Sequence, residues 1–168
     1  GIFATIKKPK PRKVTDDFVL ILDKLTNPEN IGSICRSALA FGFNTVIYHS
    51  SGSSPFLRRC IRVSTGHVLG LNIIQTNDLE TNLRELKDNN YQIICGHNHP
   101  ESKIINNLKI QNKIGLILGS EGHGISEELI KLTDLNAKIL TSSKVDHLNV
   151  SNAASILMHQ IFSKRLNF

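Results

Sequence analysis

The chain has no tryptophan, a single methionine, and aromatic residues make up only 5% of its 168 positions. So few rings exclude a broad base-stacking platform as the main mode of binding nucleic acid. Three cysteines, Cys35, Cys60 and Cys95, are scattered and odd in number. That excludes a disulfide framework and fits a reducing, cytoplasmic setting. No apolar run reaches the roughly 18 residues of a membrane span, and no secretory pattern opens the chain. Neither H-E-x-x-H nor C-x-x-C occurs, so no metal site is expected, even at the close pair His97 and His99. The G-x-S-x-G elbow of a serine hydrolase is missing as well.

Acid is also missing where it would matter. Lys7, Lys8, Lys10, Arg12 and Lys13 precede the first carboxylate, Asp16. From Asn30 to Asn77 there is no Asp or Glu, yet Arg36, Arg58, Arg59 and Arg62 fall there. The net charge is +6. This distribution suits a polyanionic partner, most simply nucleic acid, and it equally describes a solvated linker and face.

The apolar fraction of 40% and charged fraction of 20% are those of an ordinary globular domain. Residues 1–16 read as a basic arm or linker and residues 17–168 as one domain. The chain starts at Gly1, which points to a tag remnant or a piece of a longer protein. Apolar runs predict strands at 18–22, 45–48, 71–74, 91–95, 114–118 and 137–140. Between them, helices are predicted from Asn27 to Phe41 with Gly42 as the stop, over 79–87, over 126–132 with Ser126 as cap, and over 148–166. Alternation along the whole length predicts an α/β fold, a parallel sheet flanked by helices.

Three segments carry candidate chemistry. In the first, Ile31, Ile34, Cys35, Ala38 and Phe41 follow helical spacing, while Asn30, Ser33, Arg36 and Ser37 form the opposite stripe. That stripe is either a plain solvent face or a site for a phosphate or sugar hydroxyl. The second is a strand ending in a loop with Gly119, Gly122 and Gly124, placed where α/β proteins bind ligands. It is neither a P-loop nor a dinucleotide fingerprint, and Glu121 inside it suits an uncharged or cationic ligand. In the third, a polar loop enters a helix of small residues, Ser151, Ala153, Ala154 and Ser155. Such a helix packs closely against a ligand, another segment of the chain or a dimer partner.

Together these segments resemble the three signature motifs of the SpoU (TrmH-type) RNA ribose methyltransferases, part of the SPOUT class. The motif N-x-G-x-x-x-R-x-A-x-x-F-G is matched by Asn30, Gly32, Arg36, Ala38, Phe41 and Gly42. L-G-x-E-x-x-G is matched by Leu118, Gly119, Glu121 and Gly124. S-L-N-V-S-x-A is matched by Leu148, Asn149, Val150, Ser151 and Ala153, with His147 where the family has Ser. Arg62 to Gly66 is a weaker fourth echo. The order is right, and the match runs from about residue 18 to 163.

The resemblance implies a C-terminal deep trefoil knot and transfer of a methyl group from S-adenosyl-L-methionine to a ribose 2′-hydroxyl of rRNA or tRNA. It implies a homodimer. Catalytic positions would be Asn30, Arg36, Glu121 and Asn149. Cofactor-binding positions would be Leu118, Gly119, Glu121, Gly124, Ile139, Leu148 and Asn149, and RNA-binding positions Arg36, Arg58, Arg59 and Arg62. The competing expectation is a knotted RNA-binding protein that no longer methylates, which His147 keeps open.

Overall fold

A computed structural model describes residues 5–120, 122–142 and 147–166. Its centre is a strand buried on both faces, β1 (Phe18–Asp23). Phe18, Leu20 and Leu22 point into one hydrophobic layer, and Val19 and Ile21 into the other, as the two-residue period of a strand requires. Leu20 and Ile21 have no exposed surface, and each contributes about 2 kcal/mol by burial.

Six more strands join it: β2 (Thr45–His49), β3 (Asn72–Thr76), β4 (Gln92–Gly96), β5 (Lys103–Ile104), β6 (Ile114–Gly119) and β7 (Leu135–Lys138). All pair in parallel, in the order β3-β2-β1-β6-β4-β7-β5. The sheet grows outward from β1 to β3, then restarts on the far side of β6. β1 and β6 therefore flank the switch point, and their carboxyl ends open the crevice where such sheets take ligands.

One face is covered by α1 (Pro28–Ala40), α2 (Arg58–Val63) and α5 (Val150–Arg165), the other by α3 (Leu79–Asp88) and α4 (Glu127–Ile130). The start of α1 follows its sequence signals. The Asn27 side chain accepts from the Glu29 and Asn30 amides at 2.8 and 3.4 Å, and Pro28 fills the first turn. Gly42, at φ +76°, ends the segment in the left-handed region.

Several sequence expectations shift. β7 lies at 135–138 rather than 137–140, because Leu135 and Ala137 pair with Ile94 and Gly96; Leu140 is left 75% exposed. α4 spans 127–130 and α5 begins at Val150. α2 and the two-residue β5 were not expected at all. The path from Ile139 to Asn149 decides whether the chain is knotted, and residues 143–146 of that path lie outside the described residues.

Candidate functional site at the carboxyl edge of the sheet

The first and third sequence segments meet. The Asn149 side-chain amide donates to Asn30 Oδ1 at 3.1 Å. Asn30 lies in the first turn of α1 and is 8% exposed. Asn149 caps α5, its Oδ1 accepting from the Ser151 amide at 2.9 Å and the Ser151 hydroxyl at 2.6 Å. Two turns along, Ser37 and Ser155 share a hydrogen bond of 2.8 Å. The stripe at Asn30, Ser33 and Ser37 is thus no plain solvent face: it is turned toward α5. The small residues of α5 are explained in the same way. Ser151 and Ala154 are buried, and they bring α5 close to α1 within one chain.

Arg36 stands on a neighbouring azimuth of α1 and is exposed. One turn before it, Gly32 is pressed on α2: an added Cβ would stand 2.8 Å from both the Cys60 carbonyl oxygen and Val63 Cβ. Glycine at this motif position therefore sets the α1–α2 approach. α2 exposes Arg58 and Arg62. Arg59 is partly spent on an exposed ion pair with Glu29.

The second segment is a closed loop. The Ser120 and Gly124 backbones bond reciprocally at 3.0 and 2.9 Å. A Cβ at Gly119 would lie 2.1 Å from the Gly124 oxygen, whereas at Gly122 it would meet nothing within 4 Å. Leu118 is buried at 2% exposed, so it offers this edge only its backbone. Glu121 lies outside the described residues. Ile139 is packed against the core, and Leu148 is 37% exposed.

One member of this edge was missed by sequence reasoning. Asp23, the last residue of β1, is 2% exposed and lies beside Gly119 in the strand register. Its Oδ2 accepts from both the amide and the hydroxyl of Ser126 at 2.8 Å. Ser126 was expected to cap α4; its hydroxyl goes to Asp23 instead, and no side-chain cap bond forms. Asp23 thereby ties the Ser126 end of the glycine loop to the strand that pairs with its Gly119 end. Its Oδ1 is buried with no partner among the described residues. A polar residue ending an otherwise apolar strand was the available signal.

From β4, the His97 amide donates to the Ala137 carbonyl, and its ring stacks on His99 at 5.6 Å. Burial, then the charge of His99, hold His97 below the usual imidazole range. A Cβ on Gly124 would come within 4.0 Å of His97 Cε1, so this loop borders the glycine loop. Among the described residues, no group of three His, Cys, Asp or Glu side chains is placed to hold a metal. The thiols are not chemically poised: burial pushes Cys35 and Cys95 up to about 12 and raises Cys60. A cleft of about 290 Å³ beside Asp23 and Ser126 opens over the α3–α4 face; another, of about 470 Å³, lies at the opposite end of the sheet around Asn90 and Lys113.

The chemistry of the edge can be stated from its atoms. The glycine loop, Leu118 to Ser126, contains no Lys or Arg and one carboxylate, Glu121. Such a cradle fits a neutral or cationic group and disfavours a bare phosphate. The guanidinium of Arg36, in contrast, suits an anion.

Comparison with known proteins agrees with this layout. The SpoU rRNA Methylase family model matches residues 17–159. A provisionally named TrmH family tRNA/rRNA methyltransferase of Staphylococcus epidermidis is 34% identical over 163 residues, 97% of this chain and 64% of that protein. The chain thus spans less than two thirds of the length of this relative. The SpoU methyltransferase AviRb from Streptomyces viridochromogenes, solved with AdoMet, superposes at a TM-score of 0.85 with 22% identity, covering 95% of this chain and 67% of that one. A structure described as an RNA 2′-O ribose methyltransferase superposes at 0.78 with 24% identity, covering 96% and 61%. These two likenesses establish the fold.

Proposed function

The chain belongs to the SpoU rRNA methylase family, and from that premise we propose that it transfers a methyl group from S-adenosylmethionine to a ribose 2′-hydroxyl of ribosomal or transfer RNA. The observation that carries the proposal is the Asn149–Asn30 hydrogen bond. It joins two motifs 119 residues apart at the edge where the glycine loop also stands. The C-terminal knot and a homodimer, with exposed Leu148 and Ile156 of the α5 region near the partner, belong to the same reading.

In this reading the backbone of Leu118, Gly119 and Gly124, with Ile139, Leu148 and Asn149, holds the cofactor, and Glu121 adds a carboxylate that favours its positive sulfonium. When bound, S-adenosylmethionine supplies an electrophilic methyl group. The chain's own residues act on the acceptor. Asn149, fixed by Asn30 and by its cap to Ser151, orients polar groups at the edge. Arg36 serves here as a cation and not as the base. It grips phosphate and stabilises negative charge on the 2′-oxygen as the methyl bond forms; the hydroxyl proton passes to water. Arg58, Arg59 and Arg62 extend the contact along the RNA. The 2′-hydroxyl itself is what tells RNA from DNA.

The test is methyl transfer from radiolabelled S-adenosylmethionine to ribosomal and transfer RNA free of prior modification, with Arg36→Ala alongside. Label that appears in RNA, resists base cleavage at the modified ribose, and is lost in the variant supports the reading. Cofactor and RNA binding without label on either RNA favours the silent binding protein, the reading that His147 suggests. Absence of cofactor binding by calorimetry overturns the enzyme.

A further inference from the structure

Resting on the RNA reading above, we propose that residues 7–13 are a docked cationic rail that takes the RNA backbone and leads it toward Arg36. A run of five cations within seven residues would ordinarily be a loose, solvated tail. This one is pinned. Asn72, the first residue of β3, is 4% exposed. Its Oδ1 accepts from the Arg12 amide at 2.8 Å, and its Nδ2 donates to the Arg12 carbonyl at 3.1 Å. The same Nδ2 donates to the Thr45 hydroxyl at 3.1 Å, which in turn donates to Asp16. A buried side-chain amide thus grips both backbone groups of one arm residue.

The arm is also held upstream. The Lys8 ammonium stands 5.1 Å from the centre of the Phe56 ring, a cation–π contact. Phe56 lies two positions before α2. The arm therefore climbs the flank of the fold, from the amino end of β3 to the start of α2, a span of at most about 14 Å for the four steps from Lys8 to Arg12. Phe56 leads within two residues into α2, which exposes Arg58 and Arg62. α2 abuts α1 at Gly32, and Arg36 stands one turn further on. The result is one positively charged track from the arm to the candidate site.

The acids nearby do not interrupt it. Glu29 is paired with Arg59, Asp17 with Arg165, and Asp16 accepts from Thr45. Lys7, Lys8, Lys10, Arg12 and Lys13 are exposed, and among the described residues none of them stands in an ion pair. Cations held in place with their charge unspent suit a regularly charged polymer, and the phosphate backbone is the one this reading supplies.

The test measures binding of a fluorescent, in-vitro transcribed transfer RNA to the whole chain against salt, since backbone contacts are independent of sequence. Each phosphate contact contributes roughly 0.7 to 0.9 to the slope of log K on log salt. Combined Lys8→Gln, Lys10→Gln, Arg12→Gln and Lys13→Gln, all at exposed side chains, should make the slope shallower by about 3 to 3.5. Asn72→Ala keeps every cation but frees the arm. It should weaken binding several-fold with the slope retained. An unchanged slope in the combined variant overturns the rail while leaving the RNA reading intact. Unchanged affinity in a folded Asn72→Ala variant shows a loose tail and overturns docking. A wild-type chain that binds no RNA even at low salt overturns the reading and the rail together.

Discussion

Asn149 touches Asn30 with its amide and caps α5 with its oxygen, so a single side chain serves two separate structural tasks. The tasks can be parted. Asn149→Asp retains a good cap, since aspartate accepts from the first-turn amides and favours the positive end of the helix. It loses the donor to Asn30 Oδ1 and sets oxygen against oxygen. Stability should fall by about 1 kcal/mol or less, read from urea midpoints, while methyl transfer falls at least about tenfold, the equivalent of 1.4 kcal/mol.

The glycine loop gives a contrast between neighbours. Gly119→Ala places a methyl group 2.1 Å from the Gly124 oxygen, so the loop must open. Calorimetry should show S-adenosylmethionine affinity reduced tenfold or more, with stability lower by about 1 to 3 kcal/mol. Gly122→Ala meets open space and should leave stability within about 0.5 kcal/mol. Equal behaviour of the two variants would contradict the loop's role.

Asp23 and Ser126 should behave as a coupled pair. Ser126→Ala removes the hydroxyl's bond to a buried carboxylate, worth about 1.5 to 3 kcal/mol. Asp23→Ala leaves both Ser126 donors unmet. In a double-mutant cycle the losses should fall short of additive by about 0.5 to 3 kcal/mol, and Ser126→Thr, which keeps the hydroxyl, should recover most of the single loss. Strict additivity would mean that the pair carries no coupling.

His97 sets a pH dependence. Its imidazole is held below the ordinary value of 6.5 by burial and by His99. The unfolded chain therefore binds the proton more readily than the folded one. Stability from this residue is fully present above that ordinary value and is lost as the pH falls through the folded value. Thermal melts from pH 8 to 5 should show the decline, and His97→Gln should flatten it.

Much of this was legible because its causes are local. The Asn27 cap, Pro28 and Gly42 bracket α1 within a residue or two, and the apolar runs at 18–22, 114–118 and 91–95 fall within a residue of the buried strands β1, β6 and β4. α2 was illegible because it has neither a capping side chain nor length; it is held by contact with Gly32. β7 slid two residues because pairing with β4, not hydrophobicity, chose its register. Asn30 and Asn149 were each picked out by motif resemblance, but their mutual bond was not. The Asp23–Ser126 tie crosses 103 residues and leaves no periodicity for a sequence to display. Arg12 likewise read as part of a free arm, since nothing around it announces Asn72 as its clamp.

The position of β6 in the sheet also governs how the molecule can be made. β1 ends at Asp23, yet its inner neighbour is β6, which ends at Gly119. At roughly 5 to 20 residues per second on the ribosome, the inner edge of Phe18–Asp23 waits about 5 to 20 s for its partner. During that interval β1, β2 and β3 can assemble on one side only, with an apolar backbone edge open to foreign strands. A nascent chain released early would expose that edge permanently, so truncation before residue 119 should yield aggregates rather than a smaller folded unit.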